Sequence, residues 1–208
     1  MPYVEKGATA TSVVVAGWNN PNNGYRLDSV YANTSTDAAE QAYTAYNIEV
    51  GGMEKIDKVY AQIKHYISIA KAAAGDSHEV TCTLRVYDGS TWQNYQITNL
   101  VYTNATPLTD EQPTVTVGDT NAQTSSIDLT SFLNTATKLA NVQIRLLFAV
   151  VTAGAGCTAT WYVDAVLITV SHSPSAGTTI IAEKPIPLRV QHGLDAVEKA
   201  LETISQSP

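Results

Sequence analysis

Between Ile56 and Ala70 the side chains alternate. Val59, Ala61, Ile63, His65, Ile67 and Ile69 fall on one face, and Tyr60, Gln62, Lys64, Tyr66 and Ser68 fall on the other. A period of two held over this length belongs to a long strand with one buried face. The same parity returns in Val80, Cys82, Leu84 and Val86 against Thr81, Thr83, Arg85 and Tyr87, and that run stops at the turn residues Asp88-Gly89-Ser90. A chain with two such strands must supply a second apolar sheet face to cover the first.

Further strands are predicted from Trp92 to Val101, over Thr114–Val117, along the face Val142, Ile144, Leu146, Phe148 and Val150, and from Cys157 to Ser171 after the turn Gly154-Ala-Gly156. Asp128-Leu-Thr-Ser-Phe-Leu133 reads as a brief helix or turn. Long strands without an intervening helical period predict an all-β protein, an antiparallel β-sandwich of jelly-roll type. The expected organisation is an N-terminal arm over 1–12, the sandwich over 13–173, and a linker, extended arm and short helix over 174–208.

Beyond Ser171 the composition changes. Ser173-Pro-Ser-Ala-Gly177 reads as a linker, and Glu183-Lys-Pro-Ile-Pro187 as an extended segment stiffened by Pro185 and Pro187. From Leu194 to about Ser205 a helix carries Leu194, Val197, Leu201 and Ile204 at coiled-coil spacing. Two heptads do not stand alone in water. The stripe is open to burial on its own sandwich, on symmetry-related copies or on another protein, and the stiff connector favours another subunit.

Charge narrows the partners. The chain has 208 residues and a formal net charge of −7, with twelve Lys and Arg scattered along it. Neither nucleic acid nor an anionic membrane surface is expected to bind, because both need a basic patch. No apolar run approaches the ~18 residues of a membrane span, and no signal-peptide pattern is read at Met1–Lys6 or in Ser12–Gly17. Cys82 and Cys157 form no Cys-x-x-Cys pair and read as two thiols on separate strands, with a single bridge left open.

No reaction centre emerges from the residue types. His65, His78, His172 and His192 have no metal-ligand spacing, no Gly-x-Ser-x-Gly elbow is present, and the carboxylates do not converge. No catalytic residue, metal or cofactor is therefore assigned. Asp164 shares the parity of Val166, Ile168 and Val170, so a buried carboxylate there must be paired, most simply with loop amides. Calcium ligation by Asp110, Glu111, Asp119 and the Asn cluster at 19–23 lacks EF-hand spacing, and that cluster reads as a turn. Three Trp and eleven Tyr raise the alternative of a carbohydrate platform, with Trp92 and Tyr95 as glycan contacts. The sequons at Asn33 and Asn104 bear on an exported chain alone.

Two short motifs carry a resemblance. Trp18, Asn20, Pro21, Asn23, Gly24 and Tyr25 near one end, and Val163, Asp164, Val166, Ile168, Thr169 and Val170 near the other, resemble the Trp-x-Asn-Pro-x-Asn-Ala/Gly-Tyr opening and Val-Asp-x-Val-x-Ile-Thr-Val closing strand of a loose group of phage and archaeal-virus structural proteins. Ile56-Asp-Lys-Val-Tyr-Ala-Gln-Ile63 fits a middle strand of that pattern. The group's Gly-Ile-x-Val turn appears here as Gly51-Gly-Met-Glu-Lys-Ile56, and its tryptophan-rich segment is absent. The resemblance implies a non-enzymatic virion component of capsid-decoration, head-fibre or tail-associated type. Such a protein is assembled in the host cytoplasm as a homo-oligomer and contacts itself and other virion proteins. A carbohydrate-binding module and a cell-surface or filament subunit are the alternatives.

Overall fold

The computed structural model describes residues 3–51, 54–70, 77–103, 114–117, 123–154 and 156–174. Among the described residues twelve strands, one 3-10 turn at Pro21–Gly24 and one short α-helix follow in order: β1 Tyr3–Gly7, β2 Ala10–Val15, β3 Trp18–Asn19, β4 Ala32–Thr34, β5 Glu40–Thr44, β6 Glu54–Ala70, β7 Ser77–Tyr87, β8 Trp92–Thr103, β9 Thr114–Val117, β10 Gln123–Asp128, α1 Ala136–Ala140, β11 Gln143–Thr152 and β12 Thr158–Pro174. One sheet has the order β10-β6-β12-β4-β3, with β1 also on β12 and β9 also on β6; the other has the order β2-β5-β11-β7-β8.

The pairing is that of a jelly roll. β4 lies beside β12, β5 beside β11, β6 beside β10 and β7 beside β8, all antiparallel. This is one nested hairpin, and β12 on β6 together with β11 on β7 wrap it into two facing sheets. The fold class read from strand alternation is the fold observed.

Parity decides what is buried. Val59, Ala61, Ile63 and Ile67 of β6 and Trp161, Val163, Val166, Ile168 and Val170 of β12 face Val80, Cys82, Leu84 and Val86 of β7 and Ile144, Leu146 and Phe148 of β11 in one apolar cluster. Each Val, Leu, Ile or Phe among them contributes about 1.5–3 kcal/mol on leaving water. Tyr43 and Tyr46 fill the same core. His65 joins it as expected, 3% exposed and edge-on to Trp161 at 5.9 Å.

Two expectations change, and a third is resolved between its alternatives. Residues 3–12 form no free arm: Tyr3–Gly7 pairs with β12, and β2 begins at Ala10 on β5. The signal was weak because these strands are short and their apolar side chains lie at the surface. Of the two forms expected for Asp128–Leu133, the structure has the turn, with the Phe132 and Leu133 amides donating to the Leu129 carbonyl; a helix follows at α1. Asp164 does not share a face with Val166. A bulge between Val163 and Ala165 shifts the register, so Val163 and Val166 both point inward across it and Asp164 is the extra residue.

The chain divides into two units, Met1–Pro174 and Ser175–Pro208. Pro185, Pro187, Leu194, Val197, Leu201 and Ile204 lie outside the described residues, as do Asp110, Glu111, Asp119 and His192.

Candidate binding surfaces

The two sequence motifs at the ends of the sandwich meet in space. Trp18 stands edge-on to Trp161, with ring centroids 5.5 Å apart. Tyr25 bridges to Ala165. Asp164, fully buried, accepts the backbone N–H groups of Asp28 at 3.1 Å and Ser29 at 2.9 Å on one oxygen. Its other oxygen makes no hydrogen bond but lies 3.5 Å from the Lys64 ammonium, so the Lys64 contribution is charge alone. The carboxylate holds loop amides, as its burial required, and the bulge is what turns it towards them.

That loop delivers Tyr31. Asn23 Nδ2 donates to the Tyr31 carbonyl at 3.1 Å, and Ser29 is held with φ at +63°. The Tyr31 ring stands perpendicular to Tyr66 at 5.2 Å and to Tyr162 at 6.3 Å, while Tyr66 and Tyr162 stack in parallel at 4.5 Å. Stacking follows from register, because Tyr162 is directly opposite Tyr66. Partial burial, reinforced by Tyr162 and then Tyr31, raises the Tyr66 phenol above its ordinary value. All three rings are half-buried on the outer face of the first sheet.

The same row continues through two amides. Tyr162 is opposite Asn33 on β4, and Asn33 is opposite Asn19 on β3, whose side chain donates to Asn33 at 3.2 Å. Asn19, Asn33, Tyr162 and Tyr66 thus form one straight line across four strands. Sequence reading missed it, because outward parity marks each residue singly and only register aligns them.

The outer face of the second sheet carries Trp92. Its ring stacks on Tyr87 at 5.0 Å, with the Arg145 guanidinium 4.1 Å and that of Arg85 5.7 Å from its centroid. Both arginines reach Glu40, Arg85 at 2.7 Å and Arg145 at 3.7 Å. The Trp92 ring is therefore engaged by its own chain. Tyr95 is opposite the inward Leu84 and packs on the core, so Trp92 and Tyr95 do not share a surface.

At the β7–β8 turn, Asp88 accepts the amides of Ser90 and Thr91 and pairs with Lys138 at 2.9 Å. The Thr91 amide, followed by Lys138, holds this carboxyl well below its usual range. Burial lowers the His78 imidazole and raises the Cys82 thiol. Cys157 is part-exposed, and no bridge joins it to Cys82. Among the described residues no three His, Cys, Asp or Glu side chains converge as a metal site, and no helix is long and apolar enough to cross a membrane.

No protein-family model and no curated protein matches the chain. Among solved structures it is similar to TmCBM61 in complex with beta-1,4-galactotriose, at 15% identity and a TM-score of 0.31, covering 83% of this chain and 89% of that one. It is also similar to the Clostridium thermocellum xylanase 10B CBM22-1–GH10 modules complexed with xylohexaose, at 14% identity and a TM-score of 0.29, covering 80% of this chain and 26% of that one. Turnip Yellow Mosaic Virus is similar at 12% identity and a TM-score of 0.25, covering 85% of this chain and 96% of that one. These neighbours, carbohydrate-binding modules and a viral capsid protein, are β-sandwiches, and the likeness extends to nothing finer.

Proposed function

We propose that the chain is a non-enzymatic structural protein of a virus particle, of capsid-decoration, head-fibre or tail-associated type. It assembles through its sandwich and its C-terminal extension, with copies of itself and other virion proteins as partners, in the cytoplasm of the host. The observation that supports this reading is the edge strand β2. Among the described residues it is the terminal strand of its sheet, and Val13, Val14 and Val15 are 66%, 37% and 45% exposed. No charged side chain stands between Lys6 and Arg26.

Edge strands of lone proteins are guarded by Lys, Pro or bulges, because their unpaired backbone groups recruit other strands. β2 has one bulge, between Val13 and Val15, and neither Lys nor Pro. In a chain of net charge −7, an uncharged apolar edge is where two copies approach with least repulsion. Antiparallel pairing of β2 with itself about a twofold axis is self-complementary and closes.

Val13→Lys places a charge on that edge without touching the core. Sedimentation is expected to show an assembled wild type and a variant shifted towards single chains, with unchanged circular dichroism. A wild type that sediments as a single chain contradicts the reading. Placement in the particle is tested by purifying virions from producing cells and finding the chain as a stoichiometric component.

A second reading, carbohydrate binding, is favoured by the uncharged line Asn19, Asn33, Tyr162 and Tyr66.

A further inference from the structure

Resting on that second reading, we propose that the line Asn19–Asn33–Tyr162–Tyr66, with Tyr31 beside it, is a binding site for a neutral oligosaccharide lying across the strands of the first sheet.

The chemistry of the line fits that ligand class. The faces of a pyranose ring are C–H surfaces, which pack on the electron-rich faces of aromatic rings; its hydroxyls need partners that both donate and accept. Tyr66 and Tyr162 supply phenolic hydroxyls and half-buried rings; one face of each ring is covered by the other, which leaves one face of each for a sugar. Asn33 and Asn19 each carry two N–H donors and a carbonyl acceptor, and the bond between them at 3.2 Å uses one donor and one acceptor. Asn33 is opposite Tyr162 in register, one strand away from it. Four adjacent strands spaced about 4.8 Å apart make the line about 14 Å long, which suits a short chain of sugars better than one ring.

Charge points to a neutral ligand. The line has no ionised side chain, and Lys64, two residues from Tyr66 on β6, lies 3.5 Å from Asp164, so that these two charges offset one another. The chain's −7 disfavours acidic glycans. The site is also held in place before any ligand arrives. Three of the four strand residues are half-buried on paired strands, and Tyr31 is fixed by the loop that Asp164 and Asn23 anchor. Little side-chain entropy is then left to lose on binding.

The Trp92 surface lacks this combination, since the neighbours of its ring are the ionised Arg85, Arg145 and Glu40.

The test uses the full chain against neutral tri- to hexasaccharides of glucose, galactose, mannose and xylose, with a sialylated oligosaccharide as control. Titration is expected to find a neutral binder, and Tyr162→Ala and Tyr66→Ala to weaken it about tenfold or more. Asn33→Ala weakens it several-fold, and Trp92→Ala leaves it unchanged. In case the tyrosine variants lose their fold, chemical-shift changes at the Asn19 and Asn33 side-chain amides of the wild type report the site independently. No binding to any neutral sugar overturns the carbohydrate reading itself. Binding that survives Tyr162→Ala and Asn33→Ala but is lost in Trp92→Ala keeps that reading and overturns this site.

Discussion

Asp164 accepts the backbone N–H of Ser29 at 2.9 Å across 135 residues of chain. With Asp28 on the same oxygen and Lys64 at 3.5 Å, one buried carboxylate ties the loop before β4 to the bulge in β12. Asp164→Ala leaves two amides and an ammonium without their partner, and unfolding free energy is expected to fall by about 2–4 kcal/mol. Asp164→Asn retains an acceptor and loses the charge, for about 1–2 kcal/mol. Urea unfolding measures both, and equal losses would show that the amide bonds are immaterial.

Gly24 is buried in the Pro21–Gly24 turn, where an added Cβ would lie 2.6 Å from the Tyr43 hydroxyl and 2.7 Å from its ring. Tyr43 is itself fully buried, so neither side can yield cheaply. Gly24→Ala is expected to cost about 1–3 kcal/mol through overpacking. Tyr43→Phe in that background relieves it only in part, because the ring carbon remains. Thermal melts of the two variants check this.

Burial pushes the His65 imidazole down to about 4 from its ordinary 6.5. Between those values the unfolded chain binds a proton that the folded chain refuses. The stabilisation is complete above pH 6.5 and is lost as pH falls towards 4, by at most about 3 kcal/mol. His78, also lowered, adds in the same direction, whereas Asp88, held below the carboxylate range, acts only at lower pH. Unfolding measured from pH 7 to 4 should fall, and His65→Phe should flatten the fall. An imidazole titration near 6.5 for His65 by NMR would contradict it.

Cys82 is fully buried on β7 with its thiol raised by burial, while Cys157 is part-exposed before β12. Maleimide is expected to label one thiol in the native protein and both in urea, with peptide mapping placing the first at Cys157. Rapid native labelling of Cys82 would mean that the core opens there.

Alternation from Ile56 to Ala70 and from Val80 to Val86 was enough to read two central strands, their buried faces and a jelly roll. Side-chain direction is written locally in a strand, at every second residue. The alignment of the outer-face residues was not legible in that way. Tyr66, Tyr162, Asn33 and Asn19 align only once register pairs β6, β12, β4 and β3, and no local pattern states register. A bulge defeated the simple parity at Asp164, because one extra residue exchanges the faces beyond it. The burial requirement on that carboxylate was nevertheless correct about what it would hold. Tyr3–Gly7 was missed because a five-residue strand with exposed apolar groups has almost no periodic signal.

The central claim is that β2 is an assembly edge, and amide hydrogen exchange over Ala10–Val15 tests it most directly. Among the described residues of a single chain only β5 pairs with this strand, so its outward amides are expected to exchange quickly. Raising protein concentration is expected to slow exchange across Ser12–Val15 in the wild type and to leave Val13→Lys unchanged. Exchange that is the same at every concentration, in a sample that is nonetheless assembled, would place the interface elsewhere and contradict the account.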